Sequence, residues 1–262
     1  MVSLLGIPWD GSSSFMQGAA EAPAALRTSL HSPSSNLTTE NGLNLDNHPT
    51  LHDQGNIDFQ TGHPWPETIS ATVAKLLSEN HRVVSLGGDH SITYPILKAY
   101  STQYENLTIL HLDAHPDLYD NFADKPLSHA SPFARIMENG LASRLIQVGI
   151  RTMNAHQQQQ ADRFGVEIFD MQNWQAYKSL SIEGPVYLSV DLDVLDPAFA
   201  PGISHHEPGG LTTRELISII QNIPVPIVGA DLVELNPSRD INGVTAMTGA
   251  KILKEILGNM LG

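Results

Sequence analysis

Three short segments gather side chains that can hold a metal ion or move a proton. They are Gly87-Gly-Asp-His-Ser91, Asp113-Ala-His-Pro-Asp117 and Asp191-Leu-Asp-Val-Leu-Asp196. Each follows an apolar run, and so puts ionisable groups at the end of a buried strand, where open α/β sheets bind their ligands. A buried carboxylate without a partner costs several kcal/mol even after relaxation. No Lys or Arg lies inside the three segments, which leaves a metal as the neutralising charge. Asp191 and Asp193, two residues apart, are expected on one face of a strand. Asp113, His115 and Asp117 repeat that spacing, but an extended chain at about 3.3 Å per residue would carry Asp117 roughly 13 Å past Asp113. The strand is therefore expected to end near Asp113, with the chain curling back at Pro116. The four carboxylates Asp113, Asp117, Asp191 and Asp193, with the imidazoles of His90 and His115, form a hard, oxygen-rich set that favours Mn²⁺ or a similar ion. Two bridging carboxylates would suit a pair of ions about 3.5–4 Å apart.

Strands and helices alternate around these segments. Strands are expected at 2–7, 82–86, 107–112, 145–150, 166–169, 186–190 and 227–233. Several are apolar on consecutive residues, the pattern of strands buried on both faces. Helices are expected at 22–29, 67–80, 93–103, 132–139, 156–164, 213–222 and 244–261. Thr212 with Glu215 reads as a capping box. This alternation implies parallel strands with crossover helices, hence a three-layer αβα domain. Residues 32–65 are polar and read as a long loop that could overlie a site. No linker or repeat divides the chain, so one domain over 1–262 is expected. The Gln157–Gln160 run reads as a solvated helix face, and Ile252, Ile256 and Met260 as apolar groups available either to a subunit contact or to the core.

Composition narrows the partners. The 262 residues include 14 Lys+Arg against 28 Asp+Glu, a net charge of −14. Nucleic-acid binding by counterion release needs a basic surface, so it is not expected; cations or cationic substrates suit this chain better. The chain has no Cys, which excludes disulfide frameworks, thiolate metal sites and Cys nucleophiles. No apolar run is long enough to span a membrane, and the start lacks the basic region of a secretory signal. A cytoplasmic location is expected.

At the three segments the sequence resembles the ureohydrolase family of arginases, agmatinases and relatives. Gly-Gly-Asp-His-Ser, Asp-Ala-His-x-Asp and the long stretch Ser189–Gly202 carry the likeness. From Asp113 to Ala250 it is most similar to plant-type arginases, through Ser128-His-Ala-Ser131, Ser204–Gly210 and Gly229–Pro237 as well. The resemblance implies a parallel eight-stranded sheet between helices, and two Mn²⁺ per subunit. One ion would be held by His90, Asp113, Asp117 and Asp191, the other by Asp113, His115, Asp191 and Asp193. It implies hydrolysis of a small guanidinium substrate to urea and an amine by a hydroxide bridging the metals. Asp117 would steady the tetrahedral intermediate, Glu234 would pair with the substrate guanidinium, and His129 would pass a proton to the leaving amine. Asp89 and Asp196 are expected to support the ligands or turns rather than to bind metal. A homo-oligomer, trimer or hexamer, is implied too.

The substrate tail is less determined. Tyr119 and Asn154 stand where animal-type arginases carry an Asn and an Asp for the amino-acid end. Asp120, Asn121, Ser128, Asn154 and His206 are the candidate specificity residues, and His205 and His206 could face the substrate from a lid. L-Arginine is the leading substrate, with agmatine, guanidinobutyrate and formimidoylglutamate as alternatives. A single-zinc amide hydrolase and a non-catalytic metal-binding paralogue are the remote ones.

Overall fold

The computed structural model describes residues 1–60 and 62–262. Eight strands form one sheet: β1 (Val2–Gly6), β2 (Leu51–Asn56), β3 (Arg82–Leu86), β4 (Thr108–Leu112), β5 (Arg144–Ile150), β6 (Glu167–Asp170), β7 (Val186–Asp191) and β8 (Ile227–Val233). Their order is β2-β1-β3-β8-β7-β4-β5-β6, and each neighbouring pair is parallel. The helices are α1 (Ala22–Leu30), α2 (Trp65–Ser78), α3 (Thr93–Tyr100), α4 (Pro132–Glu138), α5 (Ala155–Phe164), α6 (Thr213–Gln221) and α7 (Val244–Leu261). Thr212 caps α6 in the expected reciprocal box with Glu215.

The sheet separates two cores. Leu110, Leu112, Ile146, Val148, Leu188 and Val190 meet α1, α6 and α7 on one side. Ile109, Leu145, Tyr187 and Val233 meet α2, α3 and α4 on the other. Successive side chains of a strand point to opposite faces, so a strand covered on both sides must be apolar at almost every position. That explains the consecutive apolar runs and the three αβα layers. Among the described residues no helix is long and apolar enough to cross a membrane.

Two expectations change. The stretch 32–65 is not all loop, because Leu51–Asn56 pairs with β1 as the edge strand β2. That strand, Leu-His-Asp-Gln-Gly-Asn, is almost wholly exposed, so it has no apolar face to read. Ile252, Ile256 and Met260 are buried against the sheet and are core residues rather than a subunit contact.

Five polar side chains interrupt the second core. Ser85, Asp231, Ser189, His111 and Gln147 come from β3, β8, β7, β4 and β5, and lie in register as cross-strand neighbours. All five are completely buried. They form a polar row across the middle of the sheet, below the strand ends that carry the three chemical segments.

Candidate active site

The expected bend occurs where the carboxylates require it. Strand β4 stops at Leu112, and Asp117 adopts a positive φ of 49°. Its side chain thus returns to the strand end, and His90 Nδ1 lies 3.1 Å from Asp113 Oδ2, 3.2 Å from Asp117 Oδ2 and 3.3 Å from Asp191 Oδ2. A second convergence sits beside it, with His115 Nδ1 2.9 Å from Asp193 Oδ2 and 3.5 Å from Asp113 Oδ1. Asp113 therefore turns one oxygen to each group. Asp191 and Asp193 do not share a strand face. Strand β7 ends at Asp191, and Asp193 lies in the 3₁₀ turn Leu192–Val194 that Asp191 caps by accepting the Asp193 N–H at 2.8 Å.

The polar row sets the orientation of the His90 ring. Asp231 is buried, yet it accepts hydrogen bonds from the hydroxyls of Thr93, Tyr187 and Ser189 at 2.9, 2.8 and 2.6 Å. Having donated its only proton, Ser189 accepts from His90 Nε2–H at 2.9 Å. His90 then turns its Nδ1 lone pair toward three carboxylate oxygens, and among the described residues Nδ1 has no hydrogen-bond partner. A lone pair facing three anions is stable only with positive charge between them, the environment of a cation. The electrostatics agree. Burial disfavours a charged ring at His90, but Asp113, Asp117 and Asp191 raise its pKa well above the ordinary histidine value. Against the same burial, Asp193 and Asp113 push His115 up to about 12. Burial, then Asp193 and Asp113, raise Asp191 well above a normal carboxyl. Among the described residues no Lys or Arg pairs with any of the four carboxylates.

Glu234 and His129 face the same cavity, of about 190 Å³. Glu234 follows β8 at a φ of 65°, a conformation that costs a non-glycine residue roughly 1–3 kcal/mol and gathers at functional sites. Its N–H reaches the Gly88 carbonyl at 2.9 Å. Gly88 must be glycine, because a Cβ there would lie 1.8 Å from the Trp9 carbonyl oxygen. Glu234 Oε1 accepts from His90 N–H at 3.0 Å and lies 3.1 Å from His129 Nδ1. The cationic partner of Glu234 is thus His129, while the neighbouring Asp231 is satisfied by hydroxyls. Burial opposes a charged His129, but Glu234 raises its pKa to about 9; burial opposes a charged Glu234, but His129 lowers its pKa. The other ring nitrogen, Nε2, lies 2.9 Å from Ser14 Oγ.

The candidate tail residues fall outside this cavity. Asp120 is exposed, 3.1 Å from His156 Nε2, and Asn121 is exposed beside it. Ser128 is buried and accepts from Ala130 N–H. Asn154 caps α5 and donates to the Tyr119 hydroxyl at 2.7 Å. His206 turns away to the Pro201 carbonyl, whereas His205 lines the cavity. Ser14, Tyr119, Phe122, Ala130, Thr152 and Gln157 complete the wall. Gln157 is not on a solvated face: its side chain is buried and closes the Asn154 capping box. Asp89 and Asp196 serve local structure. Asp89 accepts from Ser91 and Ser12 N–H, and Asp196 from Ala198 and Gly209 N–H.

The sequence profile of the arginase family matches residues 1–258. The chain belongs to the arginase family. Arginase 1, mitochondrial, of Arabidopsis thaliana is 44% identical over 272 residues, covering 97% of this chain and 79% of the relative. An agmatinase of Bacillus anthracis is 33% identical, covering 98% of this chain and 90% of its own length. Among solved structures, the arginase from Medicago truncatula superposes with a TM-score of 0.93 at 41% identity, covering 99% of this chain and 87% of that one. This family member thus resembles plant arginases, as its motifs implied, and has the arginase fold. The expected cytoplasmic location does not stand, because the plant relatives are named for mitochondria. That no helix among the described residues is long and apolar enough to cross a membrane bears on neither organelle nor cytoplasm.

Proposed function

We propose that this chain hydrolyses L-arginine to L-ornithine and urea with two Mn²⁺ per subunit, as a trimer or hexamer. One observation carries the reading: two His–carboxylate convergences that share Asp113 open onto the same cavity as the Glu234–His129 pair. His90, Asp113, Asp117 and Asp191 would hold one ion, and Asp113, His115, Asp191 and Asp193 the other. When bound, such ions supply Lewis-acid activation of a water near neutral pH. Glu234 Oε2 accepts no hydrogen bond among the described residues, so it is the oxygen open to a guanidinium. Asp117, on the cavity wall, can accept from the amino groups of the reacting carbon. With its pKa raised to about 9, His129 holds a proton at neutral pH for the leaving amine. The remaining wall, Ser14, Tyr119, Phe122, Ala130, Thr152 and Gln157, is uncharged, and burial with neighbouring His129 lowers the pKa of His205. An uncharged wall matches a zwitterionic tail of zero net charge better than the lone ammonium of agmatine or the lone carboxylate of guanidinobutyrate.

The test is to load the protein with Mn²⁺, supply arginine, agmatine, guanidinobutyrate and formimidoylglutamate separately, and measure urea or formamide. Urea from arginine is expected. Product from one of the others alone overturns the substrate, and no product at all makes the chain a non-catalytic metal binder. His129→Ala should lower kcat by about 10²–10⁴-fold, the usual contribution of a positioned proton donor. Elemental analysis should still find two Mn²⁺ in that variant; loss of metal would place His129 among the ligands instead. Light scattering on the eluted protein reads the oligomer directly.

A further inference from the structure

The buried polar row contains two groups that this chemistry leaves unused, His111 and Gln147. Their hydrogen bonds run in one direction only. Gln147 Nε2 lies 2.7 Å from the Pro116 carbonyl oxygen and 2.9 Å from His111 Nδ1. A carbonyl oxygen only accepts, so the amide nitrogen must be the atom facing Pro116. The second hydrogen of that nitrogen points at His111 Nδ1, which therefore accepts and bears no proton. The ring proton is left on Nε2, 2.7 Å from Asp113 Oδ2, and donates there. Phe133 stacks on the His111 ring at 3.8 Å between centroids and fixes its plane.

We propose that Gln147 and His111 are positioning residues for the metal centre, a one-way hydrogen-bond chain that orients the Asp113 carboxylate. The proposal rests on the metal-centre reading above. Asp113 is the one ligand turned toward both convergences, and both its oxygens are pinned. His115 N–H holds Oδ1 at 2.6 Å and His111 holds Oδ2. Gln147 also tethers Pro116, which stands between His115 and Asp117. One side chain from β5, a strand that supplies no ligand, thus holds the shared carboxylate and the loop bearing two others. Among the described residues Gln147 Oε1 has no partner. An orphaned buried carbonyl costs free energy that an apolar residue of the same size would avoid, so it is the amide nitrogen that the site uses.

Gln147→Met keeps the volume and removes both donors. Titration with Mn²⁺, read by the paramagnetic resonance of the free ion, should show binding weakened on the order of 10–100-fold, as for other residues that orient a ligand. His111→Phe should do the same, and the double variant should be no worse than the weaker single one, since one chain is broken once. Unchanged affinity in Gln147→Met, or losses that add, overturns the proposal. Neutron diffraction on the unaltered protein needs no variant to fold: hydrogen on His111 Nε2 and none on Nδ1 is expected, and hydrogen on Nδ1 overturns it. Urea release without this hydrogen pattern would separate the two readings, while failure of the unaltered protein to bind Mn²⁺ overturns both.

Discussion

Asp113→Ala is expected to empty both metal positions and bring arginine hydrolysis below detection. Its two oxygens point to different histidines, Oδ2 to His90 and Oδ1 to His115, so no other single side chain is shared so plainly between the convergences. The loss of affinity should exceed the roughly 10–100-fold seen when only a residue behind a ligand is removed. Elemental analysis after dialysis reads the metals, and urea release reads the activity. Two retained ions with normal turnover would remove Asp113 from the centre. Asp193→Ala supplies the contrast. Asp193 meets His115 and not His90, so its variant should weaken the His115 position first and show one tight ion.

The second large effect is expected at Glu234. Truncating one member of a buried charge pair costs about 2–5 kcal/mol, and at 1.4 kcal/mol per tenfold this is roughly 30- to 4,000-fold in kcat/KM. Glu234→Gln keeps the shape and the acceptor for His90 N–H while removing the charge. Both Mn²⁺ should remain, because Glu234 contacts His90 through its backbone only. A second readout follows from His129. Burial alone lowers its pKa, and Glu234 is what lifts it to about 9. Without that carboxylate the histidine releases its proton at lower pH, so the alkaline fall in kcat should move to lower pH. An unchanged kcat/KM and an unmoved pH profile together would show that Glu234 is not at the site.

What could be read in the sequence follows from burial. Strands β3, β4, β5, β7 and β8 are covered on both faces, so their apolar runs and the ionisable residues just beyond them stand out without a structure. Strand β2 could not be seen that way, because an exposed edge strand has no apolar face. The cavity wall was legible only in part. His129, Glu234 and His205 belong to contiguous motifs, but Ser14, Thr152 and Gln157 reach the cavity through separate loops and one helix start, whose meeting depends on tertiary packing. Asp120, Asn121 and His206 have suitable chemistry, yet their turns aim them elsewhere. Gln157 was hidden by its polar neighbours. The polar row left a usable signal, since a His, Gln, Ser or Asp inside a strand buried on both sides must have a partner and therefore marks a network.

The order of the central strands also sets a timetable. Going across the sheet, β3 (82–86) is followed by β8 (227–233), then β7 (186–191) and β4 (108–112). Strand β8, last of the four to be synthesised, fills the gap between the other three, and Ser85 reaches Ser189 only across its Asp231. Until residue 231 has left the ribosome, Ser189 lacks the acceptor that sets its hydroxyl, and His90 lacks the partner that turns its ring toward the carboxylates. A nascent chain stalled before that point holds Asp113, Asp117, Asp191 and Asp193 in covalent sequence but without the strand that completes their surroundings. If the proposed metal centre forms, ion capture would thus come late in the life of each molecule, coupled to closing the middle of the sheet rather than to the emergence of any one motif.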